Sequence, residues 1–250
     1  MKRYPNIFRF GSFYGGGSEI QVDPDDVLNR LGGKMEVRSG ESIAQFMSQI
    51  EPGQTISLAP DVWEYNDTLV IDKSCALIGH PLGTKIRRGP GLNGPLVSIE
   101  ADNVVLSNIF LEDDSTDLFD VIGIQVTSNN VFIDQCAIRG FSFGIYNNGG
   151  SFHQYIGNTI QASAIGINLV ATSAGHSIVG NGVNMIPASA LSISLGDNVT
   201  GCAVTGNVCS LAQPNASIRF PNAGLAQTFA TVGGSGNHVS GNVAVLQEIT

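Results

Sequence analysis

The side chains best suited to chemistry lie in one short acidic segment. Five carboxylates fall within nine residues there: Glu112, Asp113, Asp114, Asp117 and Asp120. Such a cluster can hold Ca²⁺, or supply the acid and the base that cleave a glycosidic bond. The four aspartates and Arg139 are therefore candidate catalytic residues, and Asp113, Asp114 and Asp117 are candidate Ca²⁺ ligands. The alternative, which we favour, is a solvated turn whose carboxylates bond to nearby backbone N–H groups.

A second candidate site is the aromatic stretch between residues 141 and 155. Tyr146 and His153 are expected to point outward, beside Asn147 and Asn148. An outward aromatic ring with amides around it is typical of a surface that stacks against sugars. We therefore predict that these four side chains contact a glycan.

A repeat from residue 102 onward indicates which elements position these side chains. One apolar column holds Leu106, Ile133, Tyr155, Ile178, Val204 and Val239. The position three residues later holds Ile109, Cys136, Asn158, Asn181, Asn207 and Asn242, and the position two beyond that holds Leu111, Ile138, Ile160, Val183, Cys209 and Ala244. An interleaved column holds Ile124, Ile145, Ile167, Leu191 and Ile218. All columns share one irregular period of about 22 residues, which is typical of a solenoid.

The apolar runs inside each repeat are three to five residues long and separated by Gly, Asn and Ser. Such runs predict short strands, since helical repeats are longer and carry apolar residues at i, i+3 and i+4. Stacked strands place like side chains in inward ladders. Asn tolerates the left-handed conformation of a turn and can bond to the Asn of the next coil. The chain is thus predicted to be all-β, a single-stranded right-handed parallel β-helix.

Three segments carry a family resemblance: GHSIVGNGV at 175–183, GCAVTGNVC at 201–209 and NHVSGNVAV at 237–245. They resemble coils of the pectin-lyase-like superfamily, and residues 52–63 resemble its first coil. The resemblance implies a parallel β-helix. It also implies an enzymatic alternative, a polysaccharide lyase or glycoside hydrolase, in which a lyase would use Arg139 as base with Ca²⁺ as its only cofactor. Otherwise no cofactor is expected.

The charge distribution favours a binding protein over an enzyme. Residues 126–250 contain five charged side chains: Asp134, Arg139, Asp197, Arg219 and Glu248. A charge-poor β-helix with a distinct N-terminal segment resembles bacteriophage-type tail and head spikes and the spikes of gene transfer agents. This resemblance implies a virion-associated homotrimer, made in the host cytoplasm, that adsorbs to bacterial surface polysaccharide. A purely structural spike is a third alternative.

Other partners are disfavoured by composition. A formal net charge of −9 argues against nucleic acid. No apolar run of signal-peptide or membrane-spanning length occurs, so we expect neither secretion nor membrane insertion. The neutral faces of the repeat and a C-terminal rung with no evident cap favour self-association, which again indicates a homotrimer.

Three regions are predicted along the chain. Residues 1–18 form an aromatic and Gly-rich segment that either attaches to other virion proteins or covers the end of the solenoid; its aromatic residues are Tyr4, Phe8, Phe10, Phe13 and Tyr14. Residues 19–52 form a helical cap, in which Ile43, Phe46, Met47 and Ile50 share one face. Residues 53–250 form the β-helix.

Overall fold

All strand pairs in the computed structural model are parallel and join one coil to the next. The structure describes residues 34–114, 121–185, 191–211, 218–219 and 237–246. These residues form a parallel β-solenoid of about seven turns. The predicted all-β parallel β-helix is therefore confirmed.

The strands form three faces, because each coil contributes up to three strands and the chain turns between them. The first face contains β1 (Lys34–Val37), β2 (Gln54–Leu58), β5 (Cys75–Ile78), β8 (Val105–Ser107), β11 (Phe132–Asp134), β13 (Gln154–Ile156), β16 (Ser177–Val179), β20 (Ala203–Thr205) and β23 (His238–Ser240). The second contains β3 (Val62–Tyr65), β6 (Lys85–Arg88), β9 (Phe110–Glu112), β17 (Gly182–Met185), β21 (Val208–Leu211) and β24 (Val243–Leu246). The third contains β4 (Leu69–Ile71), β7 (Val97–Ile99), β10 (Ile122–Val126), β18 (Leu191–Leu195) and β22 (Ile218–Arg219).

Two long strands join the second and third faces. These are β12 (Ala137–Asn147) and β14 (Thr159–Leu169). Their first residues pair within the second face and their last residues within the third. A short pair, β15 (Ser173–Ala174) and β19 (Val199–Thr200), lies in the turn before the first face.

The first predicted column is confirmed at every position. Leu106, Ile133, Tyr155, Ile178, Val204 and Val239 pair in register along the first face. The column continues toward the N-terminus through Leu77, Ile56 and Met35. The column from Leu111 to Ala244 is also confirmed, along the second face.

The interleaved column needs one correction. Ile124, Ile145 and Ile167 pair in register as predicted, but the next inward residue is Ile193 rather than Leu191. Leu191 pairs instead with Ile165, on the outer side. The sequence pattern did not separate these choices, because a shift of two residues preserves the alternation of a strand.

The predicted Asn ladder is confirmed as a continuous set of hydrogen bonds. The Oδ1 atom of Asn181 accepts from the backbone N–H and the side-chain Nδ2 of Asn158, at 2.9 and 3.0 Å. Asn207 and Asn242 repeat this arrangement on the next two coils. The left-handed residue of each turn is the one before the Asn, such as Gly180 with φ 65°. Asn does take the left-handed conformation in other turns, at Asn103, Asn108 and Asn130. Each ladder Asn instead follows a left-handed Gly, and its side chain turns inward to bond with its neighbours.

The structure describes residues 34–52 of the region predicted as a cap. Helix α1 (Ile43–Gln49) begins after Ser42, whose hydroxyl accepts from the backbone N–H of Gln45. Ile43 and Met47 are buried as predicted. Strand β1 lies in the same region, where it pairs with β2 and extends the first face by one strand. The predicted N-terminal attachment segment and the first part of the cap, residues 1–33, lie outside the described residues.

The four cysteines are free and buried. Cys136 and Cys209 lie in inward positions, where they act as small apolar side chains. Within the described part of the chain, no helix is long and apolar enough to cross a membrane.

Candidate functional site

The described carboxylates of the acidic segment, Glu112, Asp113 and Asp114, lie close to cations from the preceding coil. Strand β6 pairs in register with β9, so its basic side chains meet the start of the segment. Glu112 accepts hydrogen bonds from Lys85 Nζ at 2.8 Å and Arg87 Nη2 at 3.1 Å. Buried Asp113 contacts Arg88 Nη1 at 3.3 Å. Asp114 is exposed and lies 3.6 Å from Arg87 Nε.

These ion pairs limit what the segment can do chemically. The bond from Lys85, assisted by Arg87 and opposed by partial burial, holds the pKa of Glu112 below its ordinary value. A carboxylate that stays ionised is poorly suited to donate a proton at neutral pH. Asp117 and Asp120 lie outside the described residues. Elsewhere, no three carboxylate, thiol or imidazole groups converge as a metal site requires, as far as the structure describes the chain.

Arg139 and Asp134 lie on different faces of one coil. Arg139 is exposed on β12, where it pairs in register with Glu112 and Gln161 on the second face. Asp134 is buried on the first face, and this burial raises its pKa. The Arg139 side chain therefore extends the charged row of the second face by one coil.

Of the four side chains predicted to contact a glycan, two reach the surface and two are buried. Tyr146 is half-buried and points outward on the third face, and Asn148 is exposed in the turn that follows β12. Asn147 is 1% exposed, because it pairs with Val126 and Leu169 in an inward column. His153 is 0% exposed. The outward position predicted for His153 is therefore wrong, and Asn147, proposed as a glycan contact, is buried.

His153 is buried because its ring nitrogens bond to the backbone of two turns. Its Nδ1 atom accepts from the Val131 N–H at 3.2 Å, and its Nε2 atom lies 3.2 Å from the Gly149 carbonyl oxygen. His176 repeats the first of these bonds on the next coil, where its Nδ1 atom accepts from the His153 N–H at 3.3 Å. The two imidazoles stack with ring centres 4.8 Å apart. They form a second interior ladder, which contributes to the fold rather than to a surface.

The outer side of the third face carries two parallel rows around Tyr146. One row is apolar and half-exposed, formed by Ile122, Phe143, Ile165 and Leu191. The other is neutral and polar: Gln125 and Tyr146 are half-buried, and the row continues through Asn168 and Ser194, which are buried at 6% and 5% exposed. The rings of Phe143 and Tyr146 meet edge to face at 5.5 Å. The strip joins aromatic and aliphatic surface to hydrogen-bonding groups without a charge.

One exposed aromatic residue was not chosen from the sequence. Phe152 is 61% exposed, in the turn that leads from the third face to the first. Its backbone has φ 63°, and the equivalent residues of neighbouring coils are Asn or Gly. A phenylalanine in a turn column otherwise filled by Asn and Gly was the signal that could have singled it out.

Comparisons with known proteins show the fold. No family model and no curated protein matches the chain. Among solved structures, a pectin methylesterase from Aspergillus niger superposes with a TM-score of 0.55 and 13% identity, covering 85% of this chain and 86% of that one. The Dettilon tailspike protein superposes with a TM-score of 0.40 and 15% identity, covering 85% of this chain and 58% of that one. The chain shares its parallel β-solenoid fold with the pectin methylesterase.

Proposed function

We propose that the protein is a virion-associated spike component that binds polysaccharide on the surface of bacterial cells. The observation that carries this proposal is the uncharged strip around Tyr146 on the third face. Aromatic and aliphatic side chains match the C–H faces of sugar rings, and amides match their hydroxyl groups. The strip crosses several coils in a straight row, which suits a linear polymer.

Binding without cleavage accounts best for the charged groups. Glu112 and Asp113 are held by cations of β6, so these carboxylates stabilise the coils instead of meeting a ligand. An acid–base pair for glycoside cleavage needs carboxyl groups with separate proton affinities that face the scissile bond. The Tyr146 strip contains none.

We also propose that the spike is a homotrimer. On the C-terminal coils of the second face, Val208 and Val243 stack on one another and are 46% and 52% exposed. Neighbouring positions are neutral, including Thr159 and Asn184. Apolar rows of this kind are commonly buried against other subunits. Light scattering at micromolar concentration should give three times the mass of one chain, and the mass of a single chain would contradict the proposal.

The function is tested by the change Tyr146→Ala. Loss of one stacking ring removes about 1 kcal/mol, so the Kd for the recognised polysaccharide should rise about fivefold. Titration calorimetry with polysaccharide purified from a bacterial surface measures this change. Val62→Ala is the matched control, since Val62 is exposed on the second face. An equal loss in both variants, or none in either, would contradict recognition through the Tyr146 strip.

A further inference from the structure

A column of left-handed residues runs along the turn between the third and first faces. Its members are Asn103, Asn130, Phe152, Gly175 and Gly201, with φ values of 59°, 54°, 63°, 72° and 63°. Backbone hydrogen bonds tie this turn to the next coil, such as those from Phe152 N–H to Ala174 O at 2.9 Å and from Gly175 N–H to Thr200 O at 3.0 Å. The column is a regular feature of the solenoid, so its side chains form a continuous outer edge.

Phe152 departs from the rest of the column. Gly and Asn adopt positive φ readily, whereas a bulky side chain is strained there. Burial of the ring does not offset this strain, because Phe152 is 61% exposed. Strained backbone that packing does not account for is concentrated at binding sites.

The Phe152 ring packs against the backbone at Gly175. A Cβ atom at Gly175 would lie 2.6 Å from Phe152 Cδ1 and 2.8 Å from Cε1, closer than packed atoms approach. The ring therefore lies directly against the backbone of the next coil. This contact restricts the ring while most of its surface remains in solvent, which is the arrangement of a stacking platform.

A hydrogen-bonded polar row occupies the same turn on the two preceding coils. Asp102 Oδ1 accepts from the backbone N–H and Nδ2 of Asn129, at 2.7 and 3.2 Å. Asn129 Oδ1 in turn accepts from the Ser151 N–H at 3.0 Å, and Asn130 Nδ2 donates to Asn103 Oδ1 at 3.3 Å. These bonds cross from coil to coil and hold the side chains in place. The asparagines and Asp102 are exposed, so free donor and acceptor positions face solvent.

We propose that Asp102, Asn103, Asn129, Asn130 and Phe152, here called the Phe152 ridge, bind a neutral or N-acetylated hexose unit. The sugar ring stacks on Phe152, while its hydroxyl groups bond to the amides and to the Asp102 carboxylate. An anionic sugar is disfavoured, because Asp102 is the charged member of the ridge and would repel it. This inference rests on the proposed function and adds a second contact on the turn beyond the Tyr146 strip.

The change Phe152→Asn tests the ridge. Asn occupies the same column at Asn103 and Asn130, so it should accept the backbone conformation and leave the Tm unchanged or higher. The Kd for the recognised polysaccharide should rise about fivefold. Phe152→Trp, which retains an aromatic ring, should bind at least as well as the native protein. Leu82→Asn is the matched control, since Leu82 is 83% exposed in the turn after β5.

The probes are gluco-, galacto-, manno- and N-acetylglucosamine oligosaccharides, polygalacturonate, and purified bacterial surface polysaccharides, with saturation-transfer NMR as the readout. Saturation of aromatic protons should reach the C–H protons of a neutral sugar in the native protein and less so in Phe152→Asn. If Tyr146→Ala weakens binding and Phe152→Asn does not, binding at the Phe152 ridge is contradicted and the proposed function stands. A lower Tm for Phe152→Asn would assign Phe152 to the fold and also overturn the ridge. Stronger binding of polygalacturonate than of every neutral probe would contradict the preference for a neutral sugar. Absence of binding to every glycan would contradict both the Phe152 ridge and the proposed function.

Discussion

Replacement of Ile178 by Asp will abolish soluble expression of the protein. Ile178 is 0% exposed and lies in the first-face column between Tyr155 and Val204. An unpaired carboxylate in this position costs several kcal/mol, comparable to the whole stability of many domains. The soluble fraction after expression measures the effect. Ile178→Ala, which should lower stability by about 2–5 kcal/mol, supplies a variant whose unfolding can be followed if Asp gives no protein.

Ser177→Asp is the control for this change. Ser177 lies on the same strand and is half-buried on the outer side. A charge there keeps access to water, so soluble yield should stay close to that of the native protein. Soluble Ile178→Asp protein with an unchanged Tm would contradict the assignment of the first-face column.

Acidification from pH 6.5 to 5 will destabilise the protein through its stacked histidines. Burial lowers the pKa of His176 from 6.5 to about 3, and the neighbouring His153 adds to the shift. Burial also lowers the pKa of His153, against opposing effects of Gly149 and Asp102. The unfolded chain therefore binds more protons below pH 6.5, and stability falls as the pH drops. His176 alone should cost about 1.6 kcal/mol over this range, because the slope reaches its full value of about 1.4 kcal/mol per pH unit only well below pH 6.5.

The variant His176→Asn should remove most of this pH dependence. Asn237 occupies the position equivalent to His176 two coils later, where its Oδ1 atom accepts from the Cys202 N–H at 2.8 Å. Asn at 176 can therefore keep the bond to the His153 N–H without binding a proton. Two carboxylates with shifted pKa values do not disturb this comparison. The pKa of Glu112 is lowered from 4.5, so its contribution to stability is lost only below this pH range. Asp134, whose pKa is raised, is present in both the native protein and the variant. Urea unfolding at pH 6.5 and pH 5 measures the difference, and equal losses in the two proteins would contradict the role of His176.

The inward columns could be predicted because a solenoid repeats its own packing. Each coil must present an apolar side chain above the one before, so Leu106, Ile133 and Ile178 fall in one column of the sequence. The repeat period does not distinguish two registers of a strand that differ by two residues. Leu191 was therefore predicted in the inward column, where the structure has Ile193. Strand β1 was missed because it precedes the repeat and is followed by a helix.

The candidate site was predictable only where strand alternation decides the direction of a side chain. Alternation along β12 places Tyr146 outward, but the polarity of Asn147 suggested the same for a residue that faces inward. His153 is buried because backbone groups of neighbouring coils satisfy its nitrogens, and that contact joins residues 22 apart. The ion pairs of Glu112 likewise join residues 25 and 27 apart. Phe152 could have been found from residue type, because the equivalent positions of neighbouring coils hold Asn or Gly.

Recognition of a glycan through uncharged groups is the central proposal for this protein. Titration of the native protein with purified bacterial surface polysaccharide, between about 0.05 and 0.5 M salt, tests it directly, because salt screens interactions between exposed charges and leaves stacking and neutral hydrogen bonds largely intact. We expect the Kd to change by less than about twofold across this range. A Kd that rises steeply with salt, or the absence of binding to any such polysaccharide, would contradict the account.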